Sequence, residues 1–235
     1  MKKLRKDAVE TRRRLLAAAS EVFADKGFWE TTHVEICRKA RVNTAAVNYH
    51  FGSKENLYVE AWKHALAESV KAHPPDGGIG PEAPAARRLH GRILAFMHRM
   101  VDPNNHEVEI MHREMANPTG LLIKVLPQAW EPQRRAFRSI IRELLGDEAS
   151  EQQVVFCEMS LMGQCFGPML HLRQPRPGSN IPRPPGPPVK FDVDELADHV
   201  VRFSLAGIGA ICAAARKNTK VIREPRQRKH ALKQE

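Results

Sequence analysis

The chain has 235 residues, 42% of them hydrophobic, and a formal net charge of +10, so it is long enough for one large domain or two smaller ones and too apolar to be disordered. The excess of basic residues suits a polyanionic partner, nucleic acid first, although simple solubility would use the same charge. Four scattered cysteines with no C-x-x-C pair argue against a disulfide framework or a zinc cluster, and the charged amino terminus has no apolar signal core.

Helical spacing dominates, and strand alternation is nearly missing. Leu15, Leu16, Ala19, Val22 and Phe23 share one face of a first helix, with a capping box at Asp7–Glu10 and a stop at Gly27. Thr32-His33-Val34-Glu35 is a second capping box, opening a short helix that points Ile36, Cys37 and Ala40 inward. Asn43 caps a third helix, which stops at Gly52. Ser53 caps a fourth, with Leu57, Ala61, Trp62, Ala65 and Leu66 on its inner face. The Pro/Gly stretch 73–84 then separates a small domain, 1–72, from a larger one, 85–217.

In the larger part, helices are expected from Pro84 to Met100, from Glu107 to Met115, from Leu121 to Leu145 with a bend at Pro127 or Pro132, and from Ser150 to Leu172. The proline-rich stretch 173–191 reads as an extended loop. Asp192 to Glu195 caps a last long helix, and the Lys/Arg-rich tail 218–235, with no apolar face, reads as disordered. The uncharged run Phe203 to Ala215 is shorter than the roughly 18–20 residues of a membrane span, so a cytoplasmic protein without a membrane partner is expected.

Two short helices joined by Lys39-Ala40-Arg41-Val42-Asn43 make a helix-turn-helix, whose second helix lies in a DNA major groove. Ala46, Val47 and His50 face inward and Thr44, Ala45, Asn48 and Tyr49 outward. Asn pairs with the N7 and N6 edge of adenine, and Thr and Ala methyls contact the thymine methyl. Lys54, Thr32 and His33 stand at helix amino termini, where unpaired N–H groups and the helix dipole attract phosphate.

The strings "LLAAASEVFADKGFWETT" and "ICRKARVNTAAVNYHFGSKENLY" make Thr11 to Leu66 resemble the DNA-binding domain of the TetR family of transcriptional regulators. "HREMANPTGLLIKVLPQAWEPQRRAFRSIIRELLG", "SLMGQCFGPMLHLRQ" and "LADHVVRFSLAGIGA" resemble the C-terminal domain of its CecR-like subgroup. Arg41 departs from the pattern, standing where the family often has Gly, and the basic tail lies outside it. The resemblance implies an all-α protein: a three-helix helix-turn-helix DNA-binding domain followed by a larger helical ligand-binding and dimerisation domain. It implies that Asn48, Tyr49, His50 and Lys54 contact bases or phosphate of a palindromic double-stranded operator, and that the protein is a homodimer released by a small apolar or amphipathic effector.

For the dimer interface the expected residues are Val155, Met159, Phe166, Phe203, Gly207, Ala210 and Ile211. For the effector pocket they are Met97, Met100, Met111, Met115, Trp130, Phe137, Met162 and Phe166. His90, His98, His106 and His112 have no metal-ligand spacing on one helix, so no metal and no cofactor is expected. Walker, G-x-S-x-G and H-E-x-x-H patterns are missing, which speaks against an enzyme. A charge-driven architectural DNA binder and a regulator without an effector remain as alternatives.

Overall fold

A computed structural model of the chain describes residues 2–172 and 192–231, with side chains for 7–167 and 192–214. The proline-rich loop expected at 173–191 lies outside the described residues. Nine helices cover the described part, with no strand among them: α1 Lys2–Glu30, α2 His33–Ala40, α3 Ala45–Phe51, α4 Lys54–Ala72, α5 Ala85–Val101, α6 His106–Ala116, α7 Leu126–Leu145, α8 Glu151–Leu172 and α9 Val193–Ala231.

Local signals set most boundaries. Gly27, at φ 76° and ψ 179°, breaks the regular run of α1, and the Thr31 hydroxyl donates to its carbonyl at 2.6 Å. The Asp7–Glu10 capping box does not form, because α1 begins upstream of it; Glu10 instead takes the Arg13 guanidinium at 2.6 and 2.9 Å. Pro127 does not bend a helix either: α7 starts at Leu126, and proline is tolerated in a first turn, where N–H groups lack partners anyway. Pro132 lies inside α7.

The chain forms two compact units. The first contains α1 to α4 together with residues 99–131, and therefore α6. Its opening segment ends at Pro74, inside the 73–84 stretch, and the later α6 segment joins it by packing on α1 and α4. Its core gathers Leu15, Phe23, Ile36, Leu57, Trp62, Ile110 and Leu122. Tyr58 lies edge-on to Phe23 and Phe28 with ring centroids 4.9 and 5.2 Å away, each such pair worth about 0.5–1.5 kcal/mol beyond area burial.

Polar ties fix the same packing. The Ser20 hydroxyl joins α1 to the Ala61 carbonyl at 2.8 Å. The Tyr58 hydroxyl donates to the buried Glu114 carboxylate of α6 at 2.9 Å, and that carboxylate also accepts the Thr119 and Gly120 N–H groups, both at 3.0 Å. Tyr58 accordingly titrates well above the usual phenol range, first through burial and then through the neighbouring carboxylate.

In the second unit α8 packs on α9, and Ile141, Leu145, Val154, Cys157 and Ile208 form a core. Buried Glu158 of α8 is held by Arg138 at 2.6 Å and Arg134 at 3.4 Å, both on α7. Cys165 is buried, and burial pushes its thiol up to about 12, so it stays a protonated, unreactive thiol.

α9 is the longest described helix. The backbone remains helical to Ala231, through most of the tail expected to be disordered; Lys, Arg, Gln and Ala are all good helix formers. The stretch Val193–Ala214 is also long and apolar enough, by length and composition alone, to cross a membrane. The uncharged run Phe203 to Ala215 of α9 is shorter because Arg202 and Arg216 bound it.

Candidate nucleic-acid interface

The helix-turn-helix is α2 and α3, braced by α1 and α4. Thr32 caps α2 as expected, its hydroxyl accepting the Glu35 N–H at 3.3 Å, but Glu35 pairs with Lys26 rather than completing the box. Arg41 ends α2 in the left-handed region, φ 54° and ψ 50°. Its N–H and that of Val42 close the helix on the Arg38 and Cys37 carbonyls at 3.2 and 3.0 Å, a job usually given to glycine. Arg14 from α1 grips this turn, its guanidinium donating to the carbonyls of Ala40 and, at 2.9 Å, of Arg41.

α3 is only seven residues long, too short to persist alone, and is held at both ends. At its start the Asn43 side chain accepts the Ala45 N–H at 2.9 Å. At its end Gly52, φ 76°, turns the chain, and Asn56 of α4 donates to the Phe51 carbonyl at 3.0 Å. Val47 and Phe51 are the buried anchors.

This packing leaves Thr44, Ala45, Asn48 and Tyr49 exposed on one surface of α3, as the spacing predicts. Tyr49 is 80% exposed, a large ring with nothing covering it. His50 is half-buried, edge-on to Tyr49 with centroids 4.9 Å apart, so it borders the exposed surface rather than leading it. Thr32 is exposed and His33 half-buried at the start of α2. Lys54 opens α4 after the Ser53 cap, but its ammonium rests 4.5 Å above the Phe28 ring, and desolvation there holds its pKa below the ordinary lysine range. The structure thus gives Lys54 an anchor that sequence spacing does not show. The Tyr58–Glu114 bond was also missed. Its one sequence signal is an acidic residue four positions after Ile110, in helical register with that core residue.

The residues expected to line an effector pocket are divided between the units. Met100, Met111, Met115 and Trp130 belong to the first; Met97, Phe137, Met162 and Phe166 belong to the second. Met97, Met100 and Phe137 are buried, Met111 and Trp130 pack on the core of the first unit, and Met115 is 73% exposed. Phe166 meets Phe96 edge-on at 5.2 Å. The residues expected at a dimer interface stay largely uncovered in the single chain: Met159 is 65% and Phe203 63% exposed, Phe166, Gly207 and Ala210 are exposed, and Val155 and Ile211 are half-buried.

Residues 15–61 match the bacterial regulatory proteins of the tetR family, and residues 85–208 match the C-terminal domain of the HTH-type transcriptional dual regulator CecR. The chain belongs to the TetR family, in the branch with a CecR-type C-terminal domain, and is a transcriptional regulator with an amino-terminal DNA-binding domain. It is similar to CecR of Shigella flexneri, 27% identical over 165 residues that span 66% of this chain and 74% of that protein. It is also similar to the regulator SrpR of Pseudomonas putida, 30% identical over 124 residues, 52% of this chain and 55% of that one. The fold is shared with solved structures. A TetR-like transcriptional regulator from Rhodococcus sp. RHA1 has a TM-score of 0.61 and 18% identity, covering 84% of this chain and 95% of that chain. AibR, solved in complex with isovaleryl coenzyme A and operator DNA, has a TM-score of 0.59 and 16% identity, covering 82% and 97%. The family and these relatives are regulators, not enzymes.

Proposed function

We propose that the chain acts in the cytoplasm as a homodimeric repressor that reads a palindromic operator through two copies of α3 and leaves it when a small apolar or amphipathic effector binds. The observation that carries this reading is α3 itself: seven residues pinned at both ends, with Thr44, Ala45, Asn48 and Tyr49 exposed together. Rigidity and exposure are what a base-reading helix needs. Asn48 is the base reader of highest information content, because an amide distinguishes adenine by two hydrogen bonds at once. Thr32, His33, His50 and Lys54 are assigned to phosphate or to the edge of the contact.

A single α3 covers too few base pairs for tight specificity, so a symmetric pair must present two, about 34–36 Å apart. The uncovered apolar residues Met159 and Phe166 of α8 and Phe203 of α9, beside the small residues Gly207 and Ala210, support pairing through these two helices. Of the residues expected at an effector pocket, Met97, Phe137, Met162 and Phe166 share the second unit and are the ones assigned to the effector. It weakens DNA binding only by favouring one arrangement of the protein over another, and a coupling of about 1–3 kcal/mol suffices. The matched C-terminal domain is named for a dual regulator, which favours activation at some promoters as the second reading.

The test is binding to DNA flanking the protein's own gene, followed by fluorescence anisotropy across salt. Asn48→Ala should lose about 1–3 kcal/mol of base preference. Lys54→Ala should weaken binding to all sequences and lower the salt slope by about 1. Wild-type behaviour of both variants would overturn the assignment of α3 and the α4 start as the DNA surface.

A further inference from the structure

The second unit holds a cavity of about 210 Å³ between the 76–81 loop, α5 and α7. Ile79, Pro81, Ala136 and Ile140 make its apolar walls, and Arg88, Arg92, Asp76 and Ser139 supply its polar atoms. The loop can lie this close to α5 only because glycine meets glycine. A Cβ on Gly77, φ 61°, would sit 2.4 Å from the Gly91 carbonyl oxygen. A Cβ on Gly91 would come within 2.6 Å of Ile79 Cγ1 and 2.8 Å of the Asp76 carbonyl oxygen. The loop is also tied internally, the Asp76 carboxylate accepting the Gly78 N–H at 2.9 Å and the Asp76 carbonyl accepting the Ile79 N–H at 3.2 Å. The wall is therefore built.

The two arginines differ in how they are satisfied. Arg88 is committed: it donates to the Ala83 carbonyl at 2.8 Å and pairs with Glu143. Arg92 is half-buried and has no carboxylate within 4 Å among the described residues; its bonded partner is the Pro75 carbonyl, at a long 3.4 Å. Its guanidinium carbon lies over the Phe137 ring, 5.9 Å from the centroid. Burial holds its pKa below the ordinary arginine range, with Arg88 adding to that and Asp76 opposing it. A guanidinium has five N–H donors in a planar fork shaped for a carboxylate, and most of those on Arg92 are uncommitted.

We infer that this cavity is a binding site for a small carboxylate with a compact apolar body, its charged end taken in bidentate fashion by Arg92 and its apolar part held by Ile79, Pro81, Ala136 and Ile140. The volume is below the usual range for drug-sized ligands, so the occupant is small.

The experiment is isothermal titration of the full chain with benzoate, with benzamide as the uncharged shape match and acetate and inorganic phosphate as anions lacking the apolar body. Saturable benzoate binding, at least about tenfold tighter than benzamide and than either small anion, is expected. Arg92→Gln should weaken benzoate about tenfold or more and bring it level with benzamide. Gly91→Ala, which leaves Arg92 in place but displaces the loop, should also weaken benzoate, while circular dichroism shows both variants to be folded. Equal affinity for benzoate and benzamide, no saturable binding, or an unchanged Arg92→Gln affinity would each overturn the site. Phosphate binding tighter than benzoate would overturn the apolar half of the recognition. Benzoate binding is measured without DNA, so its failure leaves the operator reading untouched.

Discussion

Replacing Tyr58 with Phe removes one hydroxyl and leaves the ring against Phe23 and Phe28 in place. What is lost is the 2.9 Å bond to Glu114, a buried carboxylate reached by four donors: the Tyr58 and Thr119 hydroxyls and the Thr119 and Gly120 N–H groups. The two N–H groups both go to Oε1, and the Thr119 hydroxyl is shared, at 2.9 and 3.0 Å from the two oxygens. Tyr58 is thus the main donor to Oε2. A hydrogen bond to a charged group is worth about 1.5–3 kcal/mol, and a buried carboxylate oxygen left short of donors adds cost in the same direction. A loss of about 2 kcal/mol follows; with a urea m-value of about 2–3 kcal/mol/M the midpoint falls by about 0.7–1 M at unchanged slope. Glu114→Gln should cost less than Glu114→Ala, because an amide oxygen still accepts from Thr119 and Gly120. The double variant Tyr58→Phe/Glu114→Gln should lose less than the two single losses added together. A Tyr58→Phe midpoint within about 0.2 M of wild type, with additive single losses, would refute the claim that this bond ties α4 to α6.

Three further outcomes are expected. Arg41→Gly should hold or raise stability by up to about 1 kcal/mol, since the left-handed backbone at φ 54° suits glycine, whereas Arg41→Val should lower it by at least about 1 kcal/mol; thermal melts read both. His64 titrates below 6.5, chiefly because burial disfavours its charge, with Arg13 and Arg12 adding to this and Glu68 opposing it. The unfolded chain then binds that proton more readily, so the His64 contribution to stability is whole above 6.5 and falls as pH drops through 6.5 toward the folded value; His64→Gln should flatten that slope in urea titrations, and NMR should find the imidazole titrating below 6.5. Met159→Glu combined with Phe203→Glu should yield monomers in analytical ultracentrifugation with unchanged helix content, because both side chains are exposed in the single chain; a persistent dimer would move the pairing surface elsewhere.

What the sequence determined by itself is the helix-turn-helix and the surface of α3. Asn43, Gly52 and Ser53 act within a few residues of themselves, and so does the alternation of Val47 and Phe51 with Asn48 and Tyr49; short-range capping and periodicity are legible in a linear string. The tertiary structure alone decided where the first unit ends, because α6 joins it through a bond between residues 56 positions apart and through Ile110 entering a core begun at Leu15. It alone placed the Lys54 ammonium over Phe28, and it brought Arg92, Gly91 and the 76–81 loop to one cavity. Such pairings depend on which helix faces meet, a choice made by burying apolar surface over the whole chain and not by any neighbouring residue.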